Sequence, residues 1–246
     1  MYDLTQFTLA DMTRCGAELR RFGSESKSME QAAAGIVRYL YERLGYSNSG
    51  QRSCVLVRFY KTHPYGGLAP DLQEFSRSMM PGVSLDLATK CLTLLGTAGD
   101  RPEWNYRQKS RGHRAIPMPS AHIVDRIPMI AQLVRQFGLE VNTLLAPKPE
   151  IIQELDRRTY NVFHVQPAKD SPYIPAQKEF VVPHHVESVL GFGGVLPEGN
   201  LFAVIIFAKV RIPASTAEMF RTVALNVKMA ILPFVEGPIF AEVRAG

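Results

Sequence analysis

The sequence predicts an α+β protein built on an antiparallel sheet, and three observations carry that expectation. Amphipathic helix patterns stand towards both ends of the chain, beginning at Met29 and at Ser215. Between them lie short runs rich in β-branched and aromatic residues. Two such runs flank Pro197–Glu198–Gly199–Asn200, the arrangement of a hairpin rather than of a parallel crossover.

The elements follow in order. Leu9, Met12, Cys15, Leu19 and Phe22 recur at helical spacing, and GSESKS (23–28) then reads as a break. Met29, Ala33, Ile36, Val37, Leu40 and Leu44 form one stripe of a helix, with Ser28 and Gln31 as a capping box. CVLVRFYK (54–61) and KCLTLLGTAG (90–99) read as strands, with a short helix around 71–79 between them. Residues 101 to 119 show no periodicity and carry breaks at Pro117 and Pro119, so a long loop is expected. DRIPMIAQLVRQFG (125–138) predicts a helix capped by Asp125 and stopped by Gly138, with Pro128 in its first turn. PEIIQELDRR (149–158) predicts a short helix and YNVFHV (160–165) a strand. After the hairpin, Ser215 with Glu218 forms a second capping box, and Phe220, Val223, Ala224, Val227 and Ile231 share one face of a closing helix.

GFGGVLPEGNLFAVIIFAKV (191–210) also invites a nucleotide-binding reading. A phosphate cradle needs a glycine turn leading from a strand directly into a helix N-terminus, whose free N–H groups meet the anion. Here Gly194 leads through Val195 and Leu196 into a turn and another strand, and Leu196 occupies the third glycine position of GxGxxG. The stretch is a hairpin. Its glycines mark either a helix packed tightly on the sheet or a thinned floor beneath a ligand.

The 246 residues allow one large domain or two small ones. An apolar content of 46% with 21% charged residues is that of a soluble globular protein. No apolar run approaches the roughly 18 residues of a membrane helix, and the N-terminus carries no export signal. Cys15, Cys54 and Cys91 are odd in number and widely spaced, which fits reduced thiols in a cytoplasm. The net charge of +5 is concentrated in RPEWNYRQKSRGHR (101–114), where Arg101, Arg107, Lys109, Arg111 and Arg114 face a single carboxylate, Glu103. The remainder is nearly neutral, which argues against a nucleic-acid partner but leaves one segment suited to an anionic ligand. No catalytic motif survives inspection: GxSxG and Walker A are absent, and SESK (24–27) has neither SDN nor KTG beside it. His184 and His185 are adjacent, and on an extended chain they point to opposite sides, so a shared metal is not expected.

VESVLGFGGVLPEGNLFAVIIFAKVRIPASTAEMFRTVALNVKMAIL (186–232), SMEQAAAGIVRYLYERLGY followed by CVLVRFYK, and CLTLLGTAG together resemble the GAF family of small-molecule sensory domains. The resemblance spans about 24–235, between a leading helical segment (1–23) and a C-terminal tail (236–246). It implies a GAF/PAS-like antiparallel sheet with terminal helices on one face and loops plus short helices on the other, enclosing a pocket. It also implies signal sensing rather than catalysis. A small anionic or aromatic ligand of unknown identity would be relayed through the terminal helices to a signalling protein partner or to the chain's own homodimer. The alternatives are a protein-interaction module without a small ligand and a GAF-like redox enzyme. No Asn–Lys pair occurs, so the NKxnFx3DE signature of cyclic-nucleotide-binding members is absent, and so is a bilin-binding Cys–His pair. GAF-like enzymes that reduce free methionine sulfoxide need cysteines on loops over the pocket. Here Cys54 and Cys91 fall in expected strands and Cys15 in an expected helix.

The segments that border the cavity in that arrangement make His164, Tyr173 and Phe192 candidate ligand contacts. Arg58, a charge within an apolar strand, and Trp104 and Arg114 of the basic segment complete the set.

Overall fold

A computed structural model describes residues 1–46, 50–147, 152 and 160–241; the helix expected over 149–158 lies, Ile152 apart, outside the described residues. Six strands form one sheet: β1 (Cys54–Pro64), β2 (Lys90–Gly99), β3 (Ala115–Met118), β4 (Tyr160–Val165), β5 (Ser188–Val195) and β6 (Leu201–Ala208). Their order is β3-β2-β1-β6-β5-β4, and every neighbouring pair is antiparallel.

The side-chain alternation of the strands divides the apolar residues between two cores. Val57, Phe59, Leu190, Phe192 and Ile206 pack beneath α1 (Leu9–Glu25), α2 (Met29–Arg43) and α7 (Ala214–Ile231). Leu56, Tyr60, Leu92, Ile205 and Phe207 face the other layer, which includes α5 (Pro128–Gln136) and α6 (Val141–Leu145). Two further helices are α3 (Pro70–Met79) and α4 (Ala121–Asp125). No described helix is long and apolar enough to cross a membrane.

Several local expectations are corrected. The capping box of α1 is Thr8 with Asp11, and the helix continues through the expected break as far as Glu25. Ser28 caps α2 by accepting from Gln31 N–H at 3.2 Å, but the Gln31 side chain takes the N–H of Lys27 instead of closing the box. α7 starts at Ala214 behind Pro213 without a side-chain cap, so the Ser215–Glu218 box does not form. Asp125 ends α4, which Ser120 caps, and α5 starts separately at Pro128. The expected long loop contains β3, whose Pro117 is tolerated because an edge strand leaves half its N–H positions unpaired.

The glycine question has an answer different from both expectations. A Cβ on Gly193 would lie 2.0 Å from the carbonyl oxygen of Phe202 on the neighbouring strand β6. One on Gly191 would lie 2.8 Å from Ile205 Cδ1. It is the adjacent strand that crowds these positions.

Candidate ligand cavity

On the face opposite the helical layer, sheet and cover line a partly open cavity of about 290 Å³. Alternation along β1 sends Leu56, Arg58 and Tyr60 into it, and β6 adds Leu201, Ala203, Ile205 and Phe207. The edge strand β3 adds Ile116 and Met118, and the cover brings Trp104 and His113 from the basic segment, Ile130 and Leu133 from α5, and Ile174, Pro175, Ala176 and Phe180 from the chain before β5. Phe180 stands on a single π-helical turn, Gln177–Val181, and meets Phe207 edge-on at 5.0 Å and Trp104 at 5.6 Å. His184 closes the aromatic group at 4.9 Å from Trp104.

The polar groups are few. Arg58 Nη1 donates to Tyr60 OH at 3.1 Å and Nη2 to Ser110 Oγ at 3.2 Å. Its Nε is buried without a hydrogen-bond partner. His113 has the left-handed φ of +61°, and burial, reinforced by the charge of Arg58, lowers its pKa below the ordinary histidine range. The segment carrying Trp104 is held to β2: Thr97 Oγ1 donates to Trp104 O at 2.8 Å, and the Asn105 amide accepts from Gly99 N–H at 3.2 Å and donates to Gly99 O at 3.0 Å.

Of the expected contacts, Arg58 and Trp104 line this space. The others do not. Phe192 belongs to the core beneath the helices and packs at 5.2 Å from Phe220 of α7. His164 pairs with Leu190, whose side chain lies in that same core, so it also faces the helical layer. Its Nε2 is buried without a partner, and burial lowers its pKa. Tyr173 is exposed, one residue short of the lining Ile174. Arg114 binds Asp71 on α3 and lies over the Phe75 ring at 5.5 Å. Tyr60 and His113 were not among the expected contacts. Tyr60 was legible as the next inward position after Arg58, whereas His113 reaches the cavity through a backbone conformation that its sequence does not announce.

Several cations of 101–114 have partners within the chain. Arg107 is buried and binds Glu30 Oε1 at 2.7 Å, and Arg101 pairs with Glu103 at 3.8 Å. Neither His184 nor His185 occupies an extended strand, because both follow the π-helical turn. Among the described residues no group of three or more His, Cys, Asp or Glu side chains is placed to hold a metal. None of the three cysteines lines the cavity. Burial pushes the thiols of Cys15 and Cys54 up to about 12 and that of Cys91 to about 11.

No family model matches the chain. No curated protein matches it either. Among solved structures, the free methionine-R-sulfoxide reductase of Neisseria meningitidis, in complex with its substrate, is similar at TM-score 0.51 and 10% identity, over 94% of this chain and 97% of that one. The phycocyanobilin-bound GAF domain of a cyanobacterial phytochrome has TM-score 0.44 and 10% identity, with 91% and 94% covered. CepR2 of Burkholderia cenocepacia, an N-acylhomoserine lactone-dependent LuxR-family transcription factor, has TM-score 0.43 and 12% identity, with 93% and 99% covered. At such identities the likeness concerns architecture. The chain has a GAF-like α+β fold.

Proposed function

We propose that this GAF-like chain is a sensor that encloses one small, largely apolar ligand and passes its occupancy to the terminal elements. The observation that carries the reading is the cavity of about 290 Å³ between sheet and cover. Interiors are otherwise close-packed, and a space of this size forfeits dispersion contacts unless something fills it. An apolar lining with a few convergent polar groups is the usual make-up of a small-molecule site. Arg58, Tyr60, Trp104 and His113 are the proposed polar and aromatic contacts.

The relay follows from one buried ion pair. Arg107 lies in the segment that supplies Trp104 and His113, and its partner Glu30 stands in the first turn of α2, in the helical layer. Glu30 also holds the C-terminal segment: its Oε2 accepts from Ala241 N–H at 3.0 Å, and its own N–H donates to Ile239 O at 2.8 Å. Ordering the cover around a ligand thus bears on α2 and on residues 238–241 together. A signalling protein or a second copy of this chain would read the change at the terminal helices, where Leu225 and Met229 of α7 are exposed. Binding is favoured over thiol chemistry because the three thiols are buried away from the cavity with raised pKa values.

Native mass spectrometry of the freshly purified chain, set against its denatured mass, tests the reading. A discrete non-covalent excess supports the sensor. A clean mass, together with no thermal stabilisation by any member of a small-molecule library, replaces it with an interaction module that binds no ligand.

A further inference from the structure

We propose that the ligand of this cavity is a single-headed organic acid, an apolar body whose carboxylate is held by Arg58. The inference rests on the ligand-binding reading above and names the chemical class that reading leaves open.

Arg58 stands in the middle of the floor, between Leu56 and Tyr60 along β1 and opposite Ile205 on β6. Among the described residues no aspartate or glutamate lines the cavity. The hydrogen-bond partners of Arg58 are two neutral hydroxyls, and its buried Nε has none. No ion pair to it forms among the described residues. Three other cations are treated differently: Arg107 has Glu30, Arg114 has Asp71, and Lys61 has Glu198. A half-buried guanidinium whose Nε is shut off from water has a cost without a counter-ion, and a site that tolerates it is one where the counter-ion arrives with the ligand. Arginine also offers the planar fork that fits a carboxylate.

Three details set the class. Tyr60 OH accepts from Arg58 Nη1, which leaves its own proton for a ligand oxygen. Ser110 Oγ, by contrast, spends its proton on Gly112 O at 3.0 Å. His113 adds no second positive charge near neutral pH, since burial and Arg58 both favour its neutral form. Among the described residues the lining therefore carries one cation and suits a monoanion better than a doubly charged phosphate. Packed at the usual interior density of about 0.74, a space of about 290 Å³ holds roughly a dozen non-hydrogen atoms. An alkanoic or arylalkanoic acid of about 10 to 15 such atoms fits that allowance.

The experiment is isothermal titration calorimetry on the full chain with two matched pairs, octanoate against 1-octanol and 4-phenylbutyrate against 4-phenyl-1-butanol. Each is titrated into the wild type and into Arg58→Gln. In at least one pair the acid is expected to bind the wild type about tenfold or more tightly than its alcohol. Arg58→Gln is expected to erase that preference while still binding the alcohol measurably, which also shows that the variant keeps its cavity. Equal binding of acid and alcohol by the wild type, or an acid preference that survives in Arg58→Gln, overturns the acid assignment and leaves the ligand-binding reading standing. Binding of neither member of either pair to a folded chain overturns the assignment; a clean native mass as well would bring down the sensor reading with it.

Discussion

Arg58 and Lys61 stand three positions apart on β1 and hold a cation in opposite ways. Lys61 is buried, reaches Glu198 Oε1 at 3.2 Å and donates to Thr62 O at 3.3 Å. Burial drives its pKa down and Glu198 partly restores it. Arg58 has no such carboxylate. In the ligand-free protein, urea denaturation should therefore find Arg58→Met within about 1 kcal/mol of the wild type, because an apolar side chain of similar length removes an uncompensated charge. Glu198→Gln, which strips Lys61 of its counter-ion, should cost about 2 kcal/mol, less than for a fully buried pair because the Glu198 side chain is 27% exposed. Beside them, burial and then the charge of Lys61 lower His63 to about 4 from 6.5. Between those two pH values the unfolded chain binds a proton that the folded chain does not, so stability should fall as pH falls from about 6.5 to about 4. His113, His164 and His184 are lowered as well and act in the same direction. Melting curves across that window should show a shallower loss for His63→Gln than for the wild type.

At the scale of the element, β5 shows what chain order conveys and what it does not. The hairpin with β6 was legible from two apolar runs around a Pro–Gly turn, and Gly199 supplies the left-handed φ of +76° that the turn needs. Which face each residue takes was not legible, because all eight residues of β5 and all eight of β6 are buried. A strand covered on both sides carries no polar alternation to point inwards or outwards. Phe192 was assigned to the wrong layer for that reason, and His164 on β4 takes the same face as its partner Leu190 on β5. β1 escaped the ambiguity at one position, since Arg58 is a charge that only the cavity face accommodates. β3 was missed because four residues with a central proline fall below what periodicity can register. The crowding at Gly193 gives a sharp test of the hairpin. Gly193→Ala must displace the Phe202 carbonyl or twist β5, and should cost about 3 kcal/mol by urea denaturation.

Across the whole molecule, the sheet separates the buried helical core from a cavity, and Arg107 joins the two layers around its margin. The segment 101–114 covers the cavity, and Glu30 carries its connection to residues 238–241. If a ligand orders the cover, hydrogen exchange should slow in 101–114 and 238–241 in the same experiment. Glu30→Gln should keep the first protection and lose the second, since the neutral amide holds Arg107 and the Ala241 N–H less firmly. Equal protection of both segments in Glu30→Gln would show that this pair is not the route.

The chain has one tryptophan. Trp104 lies in the cavity cover, with the Arg101 guanidinium over its ring at 5.4 Å and His184 at 4.9 Å. The indole emission of the protein therefore originates at a single, known place. A ligand that expels water from the ring should move that emission to shorter wavelength, and protonation of His184 should dim it. Collisional quenching by acrylamide then measures how often the cover opens. The protein comes with its own optical gauge of the cavity, needing neither label nor substitution.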